Sequence, residues 1–295
     1  MQARRQHQPE VQGFLQKHFL SQHWRFALPI GSGNETYYAY ADDSAYFVKL
    51  GVQTARYQAM ASLGLIPPIL AAGYLEDGLS IVVQPYIAGN NPSRKDYRLH
   101  LEQFAAAIHR MHHSPELQSV LPQVSSDLYR VVGLDSLTRL QQSWLHYRAQ
   151  VPQVAEFVDE SLAYLSQQVQ LFPGNGLVAS HNDICNANWL VTPGGQLYLT
   201  DLELMSLDDP ALDLGATLWW YYPPALRQRF LEIAGYANDE LFQFRMRLRM
   251  AMHCLSITLP RERSFDEFDP TTYAESLVDF RAILAGEENP QGYDE

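Results

Sequence analysis

Lysine is nearly missing from this chain: three of 295 residues, against 18 arginines. Cysteine is scarcer still, with Cys185 and Cys254 alone. Two thiols so far apart give no disulfide framework, so a reducing compartment, the cytoplasm, is the expected setting. Long apolar runs are lacking too. The best candidates, around 63–75 and 216–226, are cut by Pro67-Pro68 and Pro223-Pro224, short of the roughly 18 residues a membrane span requires. The opening "MQARRQHQPE" has basic residues but no apolar segment behind it, which argues against a signal peptide. A formal net charge of −12 argues against a nucleic-acid binder, which needs a basic face. No internal repeat is visible, and the sequence carries no sign of oligomeric state.

What is present is ordinary for a soluble globular chain, at 46% hydrophobic and 18% charged residues. The length suffices for two lobes, each with its own core. Charge is uneven: residues 1–200 are net −2 and residues 201–295 net −10. That acidic third is either a solvated helical surface or a field that steers a cationic ligand.

Hydrophobic spacing at Val11, Phe14, Leu15, Phe19 and Leu20 predicts an opening amphipathic helix. Short strand signals follow in "FALPI", "ETYYAY" and "SAYFVKL", then a helix over 53–63 and strands over 69–75 and 80–84. After Gly89 the pattern turns helical: 97–113, 134–150, 154–171, 210–221, 225–235, 240–258 and 272–284. Strand signals return only between 177 and 204. The reading is α+β: a β-rich lobe at 1–89 with a small antiparallel sheet and one inserted helix, and a larger, mainly helical lobe at 90–295. The tail "GEENPQGYDE" reads as loosely held.

The stretch "SHNDICNANWLV", 180–191, crowds His181, Asp183, Asn186 and Asn188 ahead of an apolar strand. "NWLV" and "QLYLT" flank Thr192-Pro193-Gly194-Gly195, which predicts a hairpin over 189–200. Antiparallel pairing would bring Asn188 and Asp201, at its two ends, within about one strand spacing. An amide oxygen beside a carboxylate suits Mg²⁺, a cation of hard oxygen ligands and phosphates. Asp183 lies five residues before Asn188, on the loop leading in. This order of groups is the layout of kinase-type phosphoryl transfer.

The motif His181-x-Asp183-x-x-x-x-Asn188, followed by Asp201 in "YLTDLE" and by "DDPALDLG" at 208–215, resembles the aminoglycoside phosphotransferase and choline/ethanolamine kinase superfamily. These are small-molecule relatives of protein kinases, and the wording here is closest to the bacterial choline kinase-like branch. The likeness runs from about Leu28 to Tyr222 and takes in "FAAAIHRMH". It implies a bilobal protein-kinase-like fold. By the resemblance, Asp183 is the base that accepts the substrate hydroxyl's proton, and Asn188 and Asp201 hold Mg²⁺ on the ATP phosphates. His181 orders the catalytic loop, while Asp213 caps a helix and braces that loop. Lys49, a strand lysine between apolar neighbours, is implied to pair with the ATP α- and β-phosphates; taken alone it reads as a snorkelling edge lysine. "GSGNET" falls where the family's phosphate-covering loop belongs, so Gly31, Ser32 and Gly33 would offer backbone N–H groups, unless they form a plain hairpin turn. Gln84, Tyr86 and Ile87 lie where the family's hinge meets adenine.

One departure stands out. Kinase-type folds steady the strand lysine with a glutamate on the next helix, but "GVQTARYQAMASLGL" contains no acid, and Gln58 occupies that place. A glutamine cannot neutralise an ammonium. The consequences left open are weaker ATP binding, another partner for Lys49, or lost activity. For the acceptor, Trp219, Trp220 and Tyr222 in "TLWWYYPP" are either core aromatics or part of a cage for a quaternary ammonium, with Asp266 and nearby acids beside it. His109 and His113 share an i, i+4 face but lack a third zinc ligand. The expected activity is ATP- and Mg²⁺-dependent transfer to a hydroxyl of a small, cationic metabolite such as choline, ethanolamine or thiamine. An aminoglycoside phosphotransferase and a nucleotide-binding pseudokinase are the alternatives.

Overall fold

The computed structural model describes residues 7–21, 23–29, 35–42, 44–260 and 268–294. The chain forms two compact units. One runs to Asn90 and takes in Leu190–Glu203; the other comprises Asn91–Trp189 and the chain from Leu204 onward. A single cut at Gly89 therefore misses one segment, because the hairpin returns to the first unit.

In the first unit, α1 (Gln8–His18) starts with proline in its first turn and buries Val11 and Leu15. It covers one face of a five-stranded antiparallel sheet, β1 (Arg25–Ala27), β2 (Thr36–Ala41), β3 (Ser44–Leu50), β4 (Ala71–Tyr74) and β5 (Ser80–Pro85), in the order β1-β2-β3-β5-β4. Period-two alternation decides which side chains face α1. Tyr37, Ala39, Val48, Leu50, Ile81 and Val83 share one core with Val11 and Leu15. Lys49, in register with Thr36 and Val82, lies on the opposite face. The helix α2 (Thr54–Ser62) follows β3 and buries Arg56, Tyr57 and Met60.

The expected hairpin is present as β7 (Trp189–Val191) and β8 (Leu197–Leu199), after a short β6 (Val178–Ser180). Its turn uses Gly195 at φ 78°, and the Gly195 N–H donates to Thr192 O. The hairpin is tied to the first unit by paired Asn90–Val191 backbone hydrogen bonds and by Leu199 N–H donating to Leu65 O. Gly89 permits this docking, since a Cβ there would stand 2.7 Å from Val191 O.

The second unit is helical apart from β6 and β9 (Ser206–Asp208), which pair antiparallel. Its helices are α3 (Arg94–Leu99), α4 (Leu101–His112), α5 (Pro115–Val120), α6 (Tyr129–Tyr147), α7 (Pro152–Val169), α8 (Ala211–Tyr221), α9 (Pro224–Ala234), α10 (Glu240–Ile257), α11 (Tyr273–Ser276) and α12 (Val278–Ala285). Two expected helices are split. The one over 97–113 breaks at His100 (φ −108°, ψ 24°), and that over 272–284 breaks at Leu277 (φ −84°, ψ 7°). Helix α5, capped by Ser114 on Leu117 N–H, is too short to show periodicity in sequence. At the centre lies α8, buried on nearly every side, with α10 packed against it. Gly215 sets their separation: a Cβ there would fall 2.7 Å from Met246 O.

Candidate active site

In the second unit, the 181–188 loop leaves β6 and is held by one buried carboxylate. Asp213, in the first turn of α8 and wholly buried, accepts from His181 N–H at 2.7 Å and from Asn182 N–H at 2.9 Å. His112 Nε2 meets the same carboxylate at 3.1 Å, and its Nδ1 lies 2.8 Å from the Tyr236 hydroxyl. Burial pushes the Asp213 carboxyl upward, but the His112 hydrogen bond and charge outweigh it and hold the group below the usual range. Asp213 therefore braces the loop. Capping of α8 falls instead to Asp209, whose Oδ1 accepts from Ala211 N–H at 2.9 Å.

Asn182 turns the chain with φ 65°, a left-handed conformation that asparagine tolerates. Its Nδ2 donates to Leu204 O and Ser206 Oγ. The turn delivers Asp183, nearly buried, and then a 3-10 turn at Asn186–Asn188. Asn188 Nδ2 donates to Asp183 O at 2.7 Å, which fixes the Asp183 backbone and turns the amide oxygen of Asn188 away from that bond. Asn186 N–H donates to the Tyr221 hydroxyl. Asn91 Nδ2 clamps the loop exit through Ala187 O and Trp189 O. His181, Asp183, Asn188 and Asp213 thus form one connected set.

In the first unit, Lys49 is 8% exposed, and its ammonium lies 2.6 Å from Glu203 Oε1 and 3.9 Å from Asp201 Oδ1. Gln58 does not take part. It is exposed on α2, so its expected bracing role is corrected: Lys49 has an acid, supplied from beyond the hairpin. The helix contributes indirectly. Arg56 Nη1 donates to Leu202 O at 2.6 Å and Glu203 O at 3.1 Å, and the Tyr57 hydroxyl reaches Glu203 Oε1 at 3.4 Å. Burial raises the Glu203 carboxyl, but the Asp201 hydrogen bond and the Lys49 charge prevail and bring it down to about 2. Asp201 sits at φ 57° just past β8.

The other expected residues divide. Gln84 turns its amide to Pro67 O. Tyr86 is exposed and packs edge-on against Tyr38, and Ile87 is half-buried beside it. The aromatic cage is not formed by the residues named for it. Tyr222 is fully buried with its hydroxyl on Tyr97 O, Trp219 donates to Glu287 O, and Trp220 donates to Asp279. These rings are packing elements. Gly31, Ser32, Gly33 and Asp266 lie outside the described residues. His109 and His113 stack on each other and place Nδ1 on the backbone carbonyls of Ala234 and His109. Sequence reasoning missed His112 and Glu203. His112 continues the buried stripe of α4 formed by Leu101, Ala105 and Ile108, and a histidine in such a stripe is itself a signal of a buried partner. Glu203 was visible as the second acid of Asp201-Leu202-Glu203.

The chain is similar in fold to a choline/ethanolamine kinase family protein from Mesorhizobium loti, at 17% identity and TM-score 0.62 over 90% of this chain and 89% of that one. It is similar to an ethanolamine kinase from Plasmodium vivax, at 13% identity and TM-score 0.62 over 92% and 86%. A spectinomycin phosphotransferase solved with ADP and spectinomycin matches at 14% identity and TM-score 0.58 over 97% and 95%. These neighbours share the protein-kinase-like fold, with its small antiparallel sheet and mainly helical remainder. Residues 27–246 match the model of the phosphotransferase enzyme family, and the chain belongs to that family.

Proposed function

We propose that the protein transfers the γ-phosphoryl group of ATP to a hydroxyl of a small molecule, with Asp183 as the base. The observation that carries this reading is the Asp183–Asn188 loop, pinned at its start by the buried Asp213 and at its end by Asn188 Nδ2 on Asp183 O. Such anchoring holds a base in place before substrate arrives, and preorganisation supplies much of the catalysis in phosphoryl transfer. Asp183 accepts the acceptor's hydroxyl proton, the oxygen bonds to the γ-phosphorus, and ADP departs. Lys49, paired with Glu203, supports the ATP phosphates, with 84–87 meeting the adenine and 31–33 the phosphates.

Each unit offers one hard oxygen donor of the kind that magnesium takes. Asn188 presents an amide oxygen and Asp201 a half-exposed carboxylate, both hard ligands of the kind Mg²⁺ prefers. Bound Mg²⁺ would neutralise charge on the phosphates. The pseudokinase reading loses its motive, since it rested on Gln58 and Lys49 has Glu203. Cys185 and Cys254 are both free, and among the described residues no helix is long and apolar enough to cross a membrane.

A substitution Asp183→Asn should lower ADP release from Mg²⁺-ATP with acceptor by about 10²-fold or more, with an unchanged thermal transition. An unaltered rate in that variant would remove Asp183 from the reaction. Acceptors for this assay include choline, ethanolamine, thiamine and amino-sugar antibiotics, classes suggested by the names of the structural neighbours or by the sequence.

A further inference from the structure

The second unit contains a cavity of about 820 Å³, inside the range of small-molecule sites. Its walls follow from helical spacing. Ser136, Arg139, Ser143 and His146 recur at three- and four-residue steps on α6, and Arg249, His253 and Ser256 do so on α10. The remaining wall includes Asn182 and Ser206. Asn182 is bonded in sequence to Asp183, so the cavity reaches the residue next to the proposed base.

Among the described lining residues the charge is net positive, Arg139 and Arg249 against Asp208. Arg249 is 1% exposed. Its Nη2 donates to Asp208 Oδ1 at 2.7 Å, while its Nε and Nη1 are buried with no acceptor. Buried donors without acceptors are costly, and they call for a partner such as a bound group or a water. Asp208 is the one carboxylate among the described lining residues, and it is engaged by Arg249 and by Asp209 N–H. Arg139 makes only a side-chain hydrogen bond to Ser136 Oγ among those described. Beyond the imidazoles, Tyr147 is the single aromatic ring among the described lining residues, fewer than an ammonium cage uses.

We infer that this cavity receives the phosphate acceptor, and that the acceptor is an anionic alcohol: a hydroxyl compound carrying a carboxylate or phosphate group that Arg139 and Arg249 bind. This rests on the phosphotransfer reading and replaces the cationic acceptor expected from sequence. Within the described lining, a choline or an aminoglycoside would meet two guanidinium groups and one carboxylate, Asp208, already paired with Arg249. Guanidinium groups match oxyanions in geometry as well as charge.

The test compares ADP release by the full chain with glycerate, glycerol 3-phosphate, glycerol, choline and kanamycin, beside ligand-observed NMR binding of each. One or both anions should exceed glycerol by about tenfold or more in kcat/KM, and the better of the two identifies the group. Arg139→Glu, an exposed site that spares the fold, should erase that preference through KM. Arg249→Ala is the less informative variant because Asp208 would be left buried without its cation. Preference for choline or kanamycin, or an anion preference unmoved by Arg139→Glu, overturns the inference. If no acceptor releases ADP, the phosphotransfer reading fails, and NMR still decides this one: saturable anion binding lost in Arg139→Glu upholds it, and no anion binding overturns it.

Discussion

Glu203 supplies the acid that kinase-like chains carry on the helix after the lysine strand: its carboxylate lies 2.6 Å from the Lys49 ammonium. Its carboxyl has an ordinary value of 4.5 and is brought down to about 2 in the folded protein. A depressed carboxyl stabilises the fold fully above its unfolded value, and that stabilisation is lost as pH falls through the folded value. Glu203→Gln should therefore cost roughly 1–2 kcal/mol at pH 7. In urea denaturation the gap between the two proteins should stay constant above pH about 4.5 and close toward pH 2. A gap that widens on acidification would mean that Glu203 is not the charged partner of Lys49.

Among the elements, the contact between α8 and α10 deserves a direct test because the catalytic loop hangs from α8 through Asp213. Gly215→Ala would force a methyl group to within 2.7 Å of Met246 O, and overpacking of this kind costs about 1–3 kcal/mol. The thermal midpoint should drop by several degrees, and kcat should fall with it if the displaced α8 carries Asp213 along. The elements were mostly legible in sequence. Alternation around Lys49 gave β3, and the Thr192–Gly195 turn gave the hairpin. Where legibility stopped, the cause was contact between distant residues. Nothing local to Gln58 tells that α2 buries Arg56 and Tyr57 against Leu202 and Glu203, 146 and 147 positions away. Nor does "AIHRMHH" disclose which histidine meets Asp213, because the i, i+4 pair His109 and His113 has the more conspicuous spacing. The break at His100 follows from no proline or glycine, so periodicity ran across it. The aromatic run at 219–222 leaves core and cage both open in sequence, and only the fold separates them: each polar handle is satisfied inside the protein.

For the whole molecule, the informative feature is that the first unit is not a continuous segment. A fragment ending at Gly89 would keep the five strands but lose Asp201, Glu203 and the carbonyls that Arg56 donates to. That fragment should show no cooperative thermal transition, whereas adding 190–203 through a short linker should restore one; a sharply melting 1–89 fragment would contradict this. The same discontinuity sets a clock on biosynthesis. Chains grow at about 5–20 residues per second, so the 147 residues between Arg56 and Glu203 take roughly 7–30 s to make. For that interval the nascent first unit carries two cations, Lys49 and Arg56, whose partners have not yet been polymerised. Its five strands are all made by then, but the segment that completes the unit follows only after residues 91–189 of the second unit.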